Sequence, residues 1–119
     1  MDLKTYDAFS RLSPLKISRL VRFIHTHQER QKISKGSILK AIQYAVKERP
    51  GFGGYIFTIE KEDEFYGALI INKTGIQEYL PENLLVILAV HGQHRHHDHE
   101  QRLLRYAQSY CQGDIGVHM

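Results

Sequence analysis

The seven residues Leu84-Leu85-Val86-Ile87-Leu88-Ala89-Val90 constrain this chain more than any other stretch. A short, wholly apolar run of this kind reads as a buried strand. It breaks at once into a polar turn that begins at His91, and an amphipathic helix follows from about Asp98 to Cys111. That order places a loop and a helix N-terminus at the carboxyl end of a strand, where free backbone N–H groups can hold an anion. A loop that cradles phosphate is expected to be rich in glycine. This one is rich in histidine and carries two carboxylates, Asp98 and Glu100.

The rest of the composition narrows the class. A chain of 119 residues has room for one domain, 1–119, and for a modest core. Apolar and charged contents of 42% and 24% are those of an ordinary globular protein. The run at 84–90 is the longest apolar one, far short of a membrane span, so no membrane partner is expected. The opening Met1-Asp2-Leu3-Lys4-Thr5 lacks the apolar centre of a signal peptide. Cys111 is the only cysteine, which rules out an internal disulfide and fits a reducing, cytoplasmic location. The net charge of +3 comes without a Lys/Arg block interleaved with aromatics, so no nucleic-acid partner is expected.

Local signals place the remaining elements. Ser13 is a candidate N-cap with Pro14 at the first helical position, and Leu12 and Ile17 stand at staple spacing. Ile17, Leu20, Val21 and Ile24 form one apolar stripe. A second helix is predicted from about Ser34, stapled by Ile33 and Ile38, burying Ile38, Ala41, Ile42 and Ala45, and ended by Pro50-Gly51. Tyr55 to Glu60 and Phe65 to Asn72 read as strands joined by a hairpin turn at 61–64. The helix after the histidine loop turns Leu103, Leu104, Ala107 and Cys111 inward, and Ile115-Gly116-Val117-His118 reads as a last short strand. The expected fold is α/β with a mixed sheet, in the order α-α-β-β-β-α-β. A right-handed helical crossover makes its last two strands parallel.

Several short motifs stand in a telling order: Phe52-Gly53-Gly54-Tyr55, Gly67 through Gly75, Tyr79-Leu80-Pro81-Glu82-Asn83, Leu88-Ala89-Val90-His91, and Gly113-Asp114-Ile115. On these the chain resembles a bacterial subgroup of the GCN5-related N-acetyltransferases over residues 9–118. The resemblance implies a bulge in the strand at 84–90, which splays from the strand at 115–118. It implies that the pantetheine arm of acetyl-CoA lies in that opening against the backbone of Leu88, Ala89 and Val90. The family's diphosphate loop, Arg/Gln-x-x-Gly-x-Gly/Ala, falls on Arg95, His96, His97, Asp98, His99 and Glu100. An amine acceptor attacks the thioester, and backbone N–H groups polarise its carbonyl.

Two departures from the family pattern bear on function. Asp98 and Glu100 stand at the loop's glycine positions, where backbone should approach phosphate without a Cβ. At 5–6 Å each carboxylate also repels a phosphate charge by roughly 0.8–3 kcal/mol for effective dielectrics of 80 to 20. Weak acetyl-CoA binding is therefore expected, offset in part by protonated histidines at acidic pH. The second departure is that the family's C-terminal helix and closing strands, which supply the usual acid tyrosine, have no counterpart before Met119. Glu82 is then the candidate general base, set against the plainer reading of a solvated loop carboxylate.

The histidines at 91, 94, 96, 97 and 99 are candidate metal ligands by residue type. His94 and His97 could share a face and Asp98 could add an oxygen, but no Cys-x-x-Cys or His-Glu-x-x-His pattern fixes a geometry. A solvated loop is the default, with Cys111 as core packing and His25 and His27 on an exposed helix end. The leading expectation is thus an acetyl-CoA-dependent N-acetyltransferase-like protein acting on an unknown amine. The rival is a non-catalytic module of the same fold, and a histidine-rich metal-binding protein stands third. An open sheet edge at Ile115 and Val117 further predicts a homodimer.

Overall fold

The computed structural model describes residues 2–10, 12–28, 32–46, 53–73, 83–91, 98–110 and 115–117. Its elements are β1 (Asp2–Tyr6), α1 (Pro14–His27), α2 (Lys35–Ala45), β2 (Gly54–Lys61), β3 (Glu64–Lys73), β4 (Asn83–Val90), α3 (His99–Tyr110) and β5 (Ile115–Val117). The strands form one sheet in the order β1-β2-β3-β4-β5. The first four run antiparallel to their neighbours, and β5 lies parallel to β4 after the α3 crossover, as expected.

Both early helices start where their caps dictate. Ser13 accepts a hydrogen bond from the Lys16 N–H with Pro14 in the first turn, and Ser34 accepts one from the Ser37 N–H. Their apolar stripes pack on one face of the sheet, where Leu20, Phe23, Ile24, Ile38 and Ile42 meet Ile56, Ala68, Ile70 and Ile87. Leu103 and Ala107 of α3 cover the other face, against Phe57, Ile59, Leu69, Ile71 and Leu85. The sheet is buried on both sides, and this is why β4 reads as an unbroken apolar run.

One element departs from the expected order: β1 precedes the helices and pairs antiparallel with β2, from Asp2 opposite Glu60 to Tyr6 opposite Ile56. Its five residues, Asp-Leu-Lys-Thr-Tyr, hold a single aliphatic side chain and no clean apolar alternation, and it is an edge strand one neighbour deep. The strand therefore rests on its long-range partner rather than on a local signal. α2 is described as far as Ala45, with Val46 as its cap; the Pro50-Gly51 stop predicted for it lies outside the described residues, as does Cys111.

The β2–β3 hairpin closes with the two residues Glu62 and Asp63 between the paired Lys61 and Glu64. Both have positive φ, 53° and 65°, the left-handed pair of a type I′ turn that usually selects Asn-Gly. Glycine is compulsory elsewhere. A Cβ on Gly54 would sit 1.9 Å from the carbonyl oxygen of Ile71, a backbone atom that cannot yield. Gly36, in the first turns of α2, has nothing within 4 Å of such a Cβ. Gly54→Ala is accordingly expected to cost about 3 kcal/mol or more. Gly36→Ala should stabilise by roughly 0.5–1 kcal/mol. Urea denaturation of the two variants checks both signs.

Candidate functional site

The geometry of β4 turns on one extra residue. Ile70 of β3 faces Ile87, but its neighbour Ile71 faces Leu85, so Val86 is a bulge with no partner opposite. The bulge changes the phase of the strand. Leu85 packs with the α3 layer and Ile87 with the α1/α2 layer, although they are two residues apart. Pairing to β5 covers Asn83, Leu84 and Leu85 and ends, among the described residues, at the bulge.

Beyond Val86 the backbone has a definite polarity. The His91 N–H donates to the Tyr66 carbonyl at 2.9 Å, so His91 directs its backbone groups toward β3. Alternate residues of a strand point these groups to opposite edges. Val90 and Leu88 therefore present theirs to the edge away from β3. On that same edge Gln28, the residue that caps α1, lies opposite Ala89 in an isolated antiparallel bridge. Leu88 is half-buried, while Ala89 and Val90 are buried. What this segment offers a ligand is main chain, with side chains committed to the core.

The start of α3 carries the acidic residues singled out in the sequence. Asp98 is exposed, has φ 60° and accepts the Arg102 N–H at 2.9 Å through its carbonyl. A left-handed conformation is one that glycine adopts freely, and Asp pays a steric penalty for it. Glu100 is half-buried in the first helical turn. Carboxylates here suit the positive end of the helix dipole, by about 0.3–1 kcal/mol each, and they oppose any anion seeking the same place.

The expectation of a solvated histidine loop fails where it can be checked. His99 is only 5% exposed, at the start of α3. His91 is half-buried, with its ring 4.5 Å from that of His27 and 5.8 Å from that of Tyr66. His27 also stacks on Phe23 at 4.8 Å, so it is packed rather than exposed, whereas His25 is exposed as expected. Aromatic neighbours four residues apart on α1 and across to β4 explain the difference. Arg95, His96, His97, the metal candidates His94 and His97, and the base candidate Glu82 lie outside the described residues. Among the described residues, no group of three or more His, Cys, Asp or Glu side chains is arranged to hold a metal ion.

A buried ionic cluster escaped the sequence reading. Glu60 is 2% exposed. Its Oε2 accepts the hydroxyls of Tyr6 at 2.7 Å and Thr58 at 2.5 Å, and its Oε1 lies 2.6 Å from Lys16 Nζ and 3.8 Å from Lys4 Nζ. Lys16 also sits over the Tyr6 ring at 5.1 Å. Burial alone pushes the Glu60 carboxyl up, but the hydrogen bonds from Lys16, Thr58 and Tyr6 outweigh it and hold the carboxyl below its ordinary value. Burial likewise works against the Lys16 charge, and the Glu60 and Tyr6 contacts raise its pKa regardless. The cluster ties β1, β2 and α1 together. Its signal in the sequence is a carboxylate in phase with Ile56 and Thr58 on an inward face; its partners on β1 and α1, Tyr6 and Lys16, lie too far along the chain to be named from that.

Solved structures resemble this arrangement closely enough to define the fold. A GNAT family acetyltransferase of Staphylococcus aureus matches with TM-score 0.62 and 12% identity, covering 100% of this chain and 87% of its own. Glucosamine-6-phosphate N-acetyltransferase of Arabidopsis thaliana matches with TM-score 0.56 and 11% identity over 100% and 83%. The ribosomal-protein-S18-alanine N-acetyltransferase of Escherichia coli matches with TM-score 0.57 and 10% identity; 88% of this chain is covered, which spans 56% of that enzyme's length. No family model and no curated protein matches the sequence. The chain has the fold of the GCN5-related N-acetyltransferases, as its motifs suggested.

The ionic cluster gives a stability test with a definite sign. Lys16→Met leaves the buried Glu60 with the Tyr6 and Thr58 hydroxyls and, of its two ammonium partners, only Lys4 at 3.8 Å, and is expected to cost about 2–4 kcal/mol at pH 7. A lowered carboxylate pKa stabilises the folded state above the unfolded pKa, and this is lost as pH falls through the folded one. The gap between the two proteins should therefore narrow as pH drops below the ordinary carboxylate range, read from urea midpoints at each pH.

Proposed function

We propose that the chain is an acetyl-CoA-dependent N-acetyltransferase-like protein with weakened cofactor binding. The observation that carries this reading is the bulge at Val86, followed by main-chain groups of Leu88 and Val90 turned to an edge that β5 does not pair. An extended, amide-bearing cofactor arm can add to such an edge as a strand does. The anionic end of the cofactor would then fall at the start of α3, near Asp98, His99 and Glu100, with Arg95, His96 and His97 as the remaining loop residues of the proposal. The neighbours include a ribosomal-protein-S18-alanine N-acetyltransferase and a glucosamine-6-phosphate N-acetyltransferase, and the acceptor proposed for this chain is an amine, with no particular one assigned.

In the proposed reaction the acceptor amine loses its proton, attacks the thioester carbonyl and expels the thiolate, which takes up a proton. The backbone at the bulge would polarise the carbonyl, and Glu82 is the proposed base, acting directly or through water. A groove of about 680 Å³ lies between α1 and the β2–β3 hairpin, with Arg19 and Arg22 on one wall and Glu62, Asp63 and Glu64 on the other, and this mixed charge selects neither a cationic nor an anionic acceptor.

A second reading has its own support. The bridge from Gln28 to Ala89 and the carboxylates at α3 both work against the cofactor, and they favour a non-catalytic module that keeps the fold. Calorimetry with acetyl-CoA separates the two readings. The first expects a Kd above about 100 µM, less than roughly 5.5 kcal/mol of binding, and tighter binding when Asp98 and Glu100 are both replaced by glycine. Low-micromolar binding by the unmodified protein contradicts the impaired loop, and no binding by either protein favours the module.

Self-association belongs to the same proposal. Among the described residues β5 is an edge strand, and pairing of two such edges across a two-fold axis gives a dimer. Light scattering at micromolar concentration is expected to return twice the chain mass; a monomer at that concentration removes the dimer from the account.

A further inference from the structure

Gln28 joins three elements at once. Its backbone N–H closes α1 on the Ile24 carbonyl at 3.0 Å, and its own conformation is extended, with φ −68° and ψ 136°. Its side-chain amide pairs with both backbone groups of Ile33, accepting the N–H at 2.8 Å and donating to the carbonyl at 2.9 Å. That clasp fixes the approach to α2 and holds Gln28 in the extended state in which it bridges Ala89. One residue earlier, the His27 ring stacks on His91, just past the end of β4. The end of α1 is thus fastened to the outer edge of β4 by a backbone bridge and a ring stack side by side.

The edge so covered is the one to which Leu88 and Val90 turn their main chain. We propose that the end of α1 is a displaceable strap, with Gln28 as its clasp, that competes with the amide-bearing arm of coenzyme A for the edge of β4. The inference rests on the reading of that edge as the cofactor site. A strand edge takes one partner at a time, so cofactor entry requires the bridge at Ala89 to open. Apparent affinity is then reduced by the fraction of molecules in which the edge is free. Weak binding in this chain has two sources, the strap and the acidic start of α3, and they can be separated by mutation.

The test uses the full chain and coenzyme A as probe. Gln28→Ala removes both bonds to Ile33 and leaves the residue's backbone in place. Amide exchange at Leu88 and Val90 is expected to quicken at least tenfold, and coenzyme A to bind at least fivefold tighter. Gln28→Glu, which keeps the bond accepted from the Ile33 N–H and loses the donated one, should fall between, and serves if the alanine variant does not fold. Unchanged exchange in a folded variant overturns the strap whatever the cofactor does. Faster exchange with equal affinity in variant and parent overturns the competition while leaving the cofactor site standing. Faster exchange with no uptake of coenzyme A by either protein overturns the cofactor reading of the edge and the strap's role with it.

Discussion

The extra residue in β4 is the constraint on which the site depends. An unbulged β4 would keep one hydrophobic phase from end to end and could pair with β5 along its length, leaving no main chain for a ligand. With Val86 inserted, Leu85 and Ile87 serve opposite cores, and the strand beyond them turns Leu88 and Val90 to an edge that β5 does not follow. The bulge is kept in place because both faces of the sheet are packed. Sliding the register by one residue would move Ile87 and Ala89 out of the α1/α2 layer, at a cost of a few kcal/mol in lost burial. The separation of this edge from β5 is a by-product of how the core is filled.

The acids at the start of α3 show a conflict between stability and binding. Glu100 in the first turn favours the helix. Asp98 gives back part of that gain through its left-handed backbone. The same two positions would face an anion at the helix N-terminus, so each carboxylate that suits the helix works against a phosphate. The Glu60 cluster resolves a similar tension in the opposite way. A buried carboxylate is costly, yet two hydroxyls and an ammonium satisfy it, and the result fastens β1 and α1 to β2.

What could be read from the sequence follows from how far each signal reaches. Ser13-Pro14, Ser34, the Leu12 and Ile33 staples, the hairpin at 61–64 and the run at 84–90 are local devices, and each element sits where they place it. The order of motifs from Gly54 to Val90 carried the fold itself, and the bulge came with that resemblance. β1 was missed because Asp-Leu-Lys-Thr-Tyr is a strand only beside Glu60 through Ile56. The packing of His27 and His99 was missed because exposure at a helix end depends on neighbours from other elements. The Gln28 bridge has no sequence signature at all: a polar residue after a helix looks like any other cap until Ala89 is seen opposite it.

Entry of the cofactor at the edge of β4 beside Leu88 and Val90, as proposed, is tested by following backbone amide resonances during a coenzyme A titration. The predicted result is saturable shifts at Leu88, Val90 and His91, joined by Gln28 and Ile33 as the bridge opens, with half-saturation above about 100 µM. Shifts confined to other elements, or none at these residues at millimolar ligand, would contradict it.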